Sequence, residues 1–84
     1  MRVTDEVRLR QMTVDEAILK LDQYLHDAFM QGSRQVKVIH GKGSGTLRLE
    51  VCRWLAKHPL VHSYRPGAYG EGGAGITMVE LSLK

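Results

Sequence analysis

Apolar residues recur at three- and four-residue steps through Val14, Ile18, Leu21, Leu25, Ala28 and Phe29, the stripe of a core-facing helix. Ahead of it, Thr13-Val14-Asp15-Glu16 has the form of a capping box, with Met12 and Ala17 placed for a hydrophobic staple. Gly32 suits the position just past the helix end, so the spacing predicts a helix over 13–31. Leu47, Val51, Trp54 and Leu55 share one face of a second helix that begins near Thr46 and stops at Pro59. Alternation or short apolar runs mark four strands: Val7–Arg10, Val36–Ile39, Leu60–Arg65 and Ile76–Leu83. The order β-α-β-α-β-β implies a two-layer α/β sandwich, with a four-stranded mixed sheet carrying two helices. The first three strands are expected to pair in parallel and the last to return antiparallel.

Composition narrows the class without naming a function. Eighty-four residues, 43% hydrophobic and 25% charged, suit one small globular domain. Residues 1–5 read as an N-terminal extension and 6–84 as the domain. A single cysteine, Cys52, excludes an internal disulfide framework and a multi-cysteine zinc site. No apolar run approaches a membrane span and no signal peptide opens the chain, so a cytoplasmic protein without membrane contact is expected. Twelve Lys and Arg against nine Asp and Glu give a net charge of +3, a mild preference for polyanions.

Glycine placement is more informative. Eight of nine glycines fall in two clusters, Gly41/Gly43/Gly45 and Gly67/Gly70/Gly72/Gly73/Gly75. The first lies between a strand end and a helix start, where backbone N–H groups and the helix dipole favour an anion. Lys42 adds a full charge there and His40 a group that titrates near neutrality. Nucleotide motifs fail: Lys42 is followed by Gly43 instead of Ser or Thr, and Gly70-x-Gly72-x-x-Gly75 precedes a strand instead of opening a helix. Arg8 and Arg10, His40 and Lys42, and Arg65 all sit at carboxyl ends of strands expected to run parallel, where ligands of such sheets gather. A small global charge thus becomes a local basic edge.

Other residues carry weaker signals. His26 reads as surface, His58 as a helix-terminal dipole partner, and His62 as a strand residue of undecided face. The histidines and Cys52 show no metal-ligand spacing. Cys52 and Trp54 read as core, and Glu71 and Glu80 are the acids nearest the proposed edge.

Three segments resemble the Smr (small MutS-related) domain family, above all its form at the C-terminus of a bacterial recombination-suppressing MutS paralogue. Val7-Arg8-Leu9-Arg10 sits where that family has Leu-Asp-Leu-His or Leu-Asp-Leu-Arg. His40-Gly41-Lys42-Gly43, with Gly45 and Leu47-Arg48, matches its His-Gly-x-Gly loop. Gly70-Glu71-Gly72-Gly73-Ala74-Gly75-Ile76-Thr77 is similar to its third glycine-rich segment, ahead of the last strand. The resemblance implies a fold similar to the C-terminal domain of bacterial translation initiation factor three and engagement of nucleic acid, with nicking of DNA or cleavage of RNA in many members. It implies a role in recombination suppression or DNA repair, with branched or duplex DNA as partner, or in ribosome rescue, with ribosomal RNA. A larger, dimeric parent protein would hold ATP in a separate ATPase module. No tightly bound cofactor is implied; a divalent metal, Mg or Mn, would serve cleavage.

Carried onto this chain, the catalytic candidates are His40, Lys42, Arg10 and Glu71. The nucleic-acid-binding candidates are Arg8, Arg10, Gly41, Lys42, Gly43, Gly45, Arg65, Gly72 and Gly73. One departure divides the reading. Arg8 stands where the family has an acid, and Gln11 where it usually has glycine. Arginine neither accepts a proton nor ligates a metal, although it binds phosphate. A nicking endonuclease and a non-catalytic DNA- or RNA-binding module therefore both stand, and a protein-interaction domain is the third class.

Overall fold

The computed structural model describes residues 5–41, 45–67 and 73–82. Strand β1 (Asp5–Arg8) leads to helix α1 (Val14–Met30), β2 (Gln35–Ile39), α2 (Thr46–Leu55), β3 (Val61–Pro66), a 3₁₀ turn at Gly73–Gly75 and β4 (Ile76–Leu81). Two helices and a four-stranded mixed sheet form the expected α/β sandwich. Neither helix is long and apolar enough to cross a membrane, among the described residues.

Local chemistry sets the ends of α1. The Thr13 hydroxyl accepts from the Glu16 N–H at 3.2 Å and the Glu16 carboxylate accepts from the Thr13 N–H at 3.1 Å, completing the capping box. Such a cap contributes about 1 kcal/mol. At the other end, Gly32 adopts φ +84°, while Gly32 N–H and Ser33 N–H donate to the Phe29 and Ala28 carbonyls. This is a Schellman motif, and Gly32 is the residue that supplies its left-handed turn. Ala17, Leu21, Leu25 and Ala28 are buried; Val14, Ile18 and Phe29 flank them half-buried. They pack with Val51 and Leu55 of α2 against Val7, Val36, Val38, Val79 and Leu81 of the sheet.

The sheet order is β1-β2-β4-β3. β1 pairs with β2 in parallel, and β4 pairs antiparallel with both β2 and β3. β1, β2 and β3 thus point the same way, but β3 makes no ladder with the other two, contrary to the expected parallel pairing of all three. Composition explains the exchange. All residues of β4 but Glu80 are buried, which suits a central strand. Strand β3, His62-Ser63-Tyr64-Arg65-Pro66 after Val61, is mostly exposed and ends on a proline that cannot donate to a ladder, which suits an edge.

β1 spans Asp5–Arg8, displaced from the expected Val7–Arg10, and Asp5 thus belongs to the sheet. Leu9 N–H still donates to the Ile39 carbonyl, but the chain turns at Arg10 and Gln11, with Gln11 at φ +66°. A side chain there is strained by roughly 1–2 kcal/mol. Gln11→Gly is expected to raise stability by about 0.5–1 kcal/mol after glycine's own entropic penalty, measured by urea denaturation.

Candidate nucleic-acid interface

Register brings the functional segments to one end of the sheet. Arg8 pairs with Ile39, Ile39 with Ile76, and Pro66 with Thr77, so β1, β2 and β3 deliver their carboxyl ends there. The α2 helix starts at the same end, following β2, with Gly45 at its N-cap at φ +86° and no side-chain cap. An uncapped helix start leaves N–H groups open to an anion.

Gly41 holds φ +84°, and a Cβ built there would meet Arg10 Cγ and Nε at 3.5 Å. The exposed Arg10 side chain therefore lies against the loop that follows β2. Two further bonds fasten the loop: the His40 and Gly41 N–H groups both donate to the Gly75 carbonyl, at 3.2 and 2.9 Å. The two glycine clusters, far apart in sequence, are stitched to each other at this point.

His40 itself is 5% exposed. Its Nδ1–H donates to the Gly41 carbonyl at 2.9 Å, which places the ring proton on Nδ1. Nε2 then accepts from the Thr77 hydroxyl at 2.9 Å. Thr77 is 1% exposed, and Cys52 Sγ lies 3.9 Å from its oxygen. Burial lowers the His40 pKa below 6.5, the Gly41 hydrogen bond opposes that shift, and Arg48 reinforces it. Above pH 6.5 the neutral ring contributes its full stability; as pH falls, the unfolded chain takes up a proton that the folded ring resists. Stability is then lost until the lowered folded pKa is passed. In denaturant titrations at pH 8 and 5, His40→Asn is expected to show a smaller loss between the two than the unaltered protein.

Arg8 is exposed on the helix-free face of β1, beside Glu6, whose carboxylate lies 3.9 Å from Lys37 Nζ. Arg65 shares that face but occupies β3, the opposite edge, about 14 Å away across three strand spacings. Its Nη1 donates to the Pro66 carbonyl at 3.2 Å. Arg8, Arg10, His40, Gly41 and Gly45 thus gather around one end, with Arg65 at its far margin. Gly73, at φ +62°, opens the turn that carries the Gly75 carbonyl. Lys42, Gly43, Glu71 and Gly72 lie outside the described residues. Thr77 and Arg48 both fall inside the matched motifs, but the sequence assigns neither of them a role. Arg48 stands beside Leu47 in the loop motif and Thr77 closes the third glycine-rich segment, but neither place announces a link to His40.

Of the remaining histidines, His26 is at the surface as expected and only His58 departs from its expected role. His26 and His62 are exposed. His58 is not a dipole partner: its Nδ1 accepts the Leu60 N–H at 3.1 Å and its Nε2–H donates to Asp22 at 2.9 Å, with the ring 4.6 Å from Trp54. Asp22, His26 and His58 bring three ligand-type atoms within 4.8 Å, although no spacing suggested it. The Leu60 N–H fixes the His58 proton on the nitrogen facing Asp22, so the cluster is a hydrogen-bonded staple between α1 and the α2–β3 turn. Cys52 is half-buried instead of a fully enclosed hydrophobe.

Comparison with known proteins gives the same answer by three routes. The family model for the Smr domain matches residues 7–82. The chain is 53% identical over 75 residues to Endonuclease MutS2 of Caldicellulosiruptor saccharolyticus, covering 89% of this chain and 10% of that protein. It is 52% identical over 79 residues to Endonuclease MutS2 of Clostridium beijerinckii, covering 94% of this chain and again 10% of the relative. The chain therefore spans about a tenth of the length of these relatives. Among solved structures, the Smr domain of Thermus thermophilus MutS2 superimposes with a TM-score of 0.92 at 40% identity, covering 94% of this chain and 99% of that one. YdaL, a stand-alone small MutS-related protein from Escherichia coli, gives 0.84 at 29% identity, covering 90% of this chain and 63% of its own. Motifs, fold and relatives agree: the chain belongs to the Smr domain family.

Proposed function

We propose that the domain grips the sugar-phosphate backbone of nucleic acid at the β1–β2 end and nicks it. The observation that carries this reading is the Arg10 side chain lying against Gly41, in a loop beside the uncapped start of α2. Arg10 and Lys42 would neutralise the phosphate, the amides from Gly41 to Gly45 would cradle it, and Arg8 would steer the strand. Gly43, Gly72 and Gly73 would let the backbone approach closely, and Arg65 would extend the track. Family membership and the MutS2 endonuclease relatives support nucleic-acid binding or nuclease work; recombination suppression and repair are the cellular settings that this activity would serve.

Cleavage needs a proton carrier, and Glu71 is the candidate acid. Divalent metal does not fit the described donors. Among the described residues at this end there is no carboxylate, since Glu6 faces Lys37 at 3.9 Å and Arg8 replaces the family's acid. That same Arg8 favours a second reading, a non-catalytic module binding DNA or ribosomal RNA by backbone and shape.

The test incubates supercoiled plasmid with the domain, with and without Mg²⁺ or Mn²⁺, beside shift assays on duplex DNA, branched DNA and a ribosomal RNA hairpin. Nicks that disappear with Lys42→Ala support the enzyme. Intact plasmid together with a salt-sensitive shift leaves the binding module. Absence of any shift at low salt sinks both.

A further inference from the structure

Among the described residues His40 is the buried ionisable group of this end, and both of its ring nitrogens are already engaged within the protein. Nδ1–H is held by the Gly41 carbonyl at 2.9 Å and Nε2 by the Thr77 hydroxyl at 2.9 Å. To exchange a proton with a substrate, the ring would have to abandon one of them. Among the described residues no buried side-chain polar atom lacks a partner, so neither contact is spare. The geometry has a direct electrostatic consequence. A Gly41 carbonyl drawn toward the imidazole is an oxygen dipole kept off the anion-facing rim. A carbonyl left free to turn outward would repel phosphate at the place where Arg10 attracts it.

The geometry points to Thr77 as a positioning residue: its hydroxyl, donating to Nε2, holds the buried His40 ring in the orientation that keeps Nδ1–H on the Gly41 carbonyl, pins that carbonyl inward and shapes the phosphate loop. His40 then organises the loop and does not transfer the proton. The inference rests on the phosphate-loop reading above. Thr77 suits the task because it sits on β4 opposite Val38, on the helix-covered side, where water does not compete for the bond. Its oxygen is also within reach of the Cys52 thiol at 3.9 Å, which leaves the Thr77 proton for His40. Loop, β4 and α2 are thereby joined through one hydroxyl.

The test pairs Thr77→Val, which keeps shape and removes the hydroxyl, with Thr77→Ser, which restores it. Imidazole ¹⁵N spectra report the tautomer directly. The unaltered protein should show His40 protonated on Nδ1 alone at pH 8, Thr77→Val should mix the tautomers, and Thr77→Ser should recover the single form. A ring protonated on Nε2 in the unaltered protein, or a spectrum unchanged by Thr77→Val, overturns the proposal. Duplex binding at low salt should weaken about three- to tenfold in Thr77→Val, the scale of one hydrogen bond, and return in Thr77→Ser. Unchanged binding despite mixed tautomers also overturns it. His40→Asn separates the two roles of the ring, since its amide can still donate to Gly41 but cannot act as a general acid or base near neutral pH. Nicking that falls a hundredfold with binding intact assigns proton transfer to His40 and refutes the inference; nicking that follows binding supports it. Failure of the unaltered protein to bind any polyanion would remove the phosphate reading alone, because the spectra still decide the Thr77–His40 link.

Discussion

Gly67→Ala will lower the thermal midpoint by roughly 5–20 °C, following a loss of about 1–3 kcal/mol from overpacking. Gly67 closes the ladder after β3, its N–H donating to the Ile76 carbonyl at 3.1 Å. A Cβ at this position would stand 2.3 Å from Ile76 Cγ1, 2.5 Å from Cδ1 and 2.9 Å from the Gly73 carbonyl oxygen. The isoleucine is 5% exposed and has little room to rotate away, and the carbonyl belongs to the turn that fastens His40 and Gly41. Both neighbours must therefore give, and the turn transmits the displacement to the loop. Gly32→Ala is the informative comparison. Nothing lies within 4 Å of a Cβ there, so only the left-handed backbone at φ +84° is penalised, by about 1 kcal/mol. Ile76→Ala should cost less in the Gly67→Ala background than on its own, a coupling that two independent sites would not show. A Gly67→Ala midpoint within about 2 °C of the unaltered protein would mean that this loop yields freely.

The contrast between those two glycines shows where sequence reasoning reached and where it stopped. Gly32 was readable because a Schellman motif is local: helix stripe, glycine and reversal fall within a few residues. The capping box at Thr13 and Glu16 was readable for the same reason, and so was the order of strands and helices. Gly67 carries its constraint from Ile76, in a different element, and nothing adjacent to it in sequence announces a close approach. Strand order failed likewise: the parallel direction of β1, β2 and β3 follows from the intervening helices, but insertion of β4 depends on which strand can be buried on both faces. That comparison between distant segments can be made from composition in retrospect, since Ile76-Thr77-Met78-Val79 is more apolar than His62-Ser63-Tyr64-Arg65. The site divides in the same way. His40 and the glycine loop were visible as a motif, whereas Thr77 lies 37 residues from its partner and the Asp22–His58 bond spans 36. In each case a long-range hydrogen bond gives the residue its role, and such bonds leave no periodic trace.

Arg10→Glu will weaken duplex binding about ten- to a hundredfold at low salt, more than any neutral substitution at the same end. The Arg10 side chain lies against Gly41, at the left-handed turn that follows β2. Arg10→Ala removes one phosphate contact, so the slope of log K against log salt should shrink by about 0.9. Arg10→Glu also sets a carboxylate facing the phosphate, and like charges at an interface repel strongly. The control is Lys57→Glu, since Lys57 follows the far end of α2, beside His58 and away from the loop. Both charge reversals take the net charge from +3 to +1, a change of two units. A global field would respond equally to both, because binding would then follow net charge alone. A local edge responds to Arg10 and hardly to Lys57, and its slope falls only where a phosphate contact has gone. Equal losses in the two variants would therefore remove this end of the sheet as the interface, whatever affinity the domain retains.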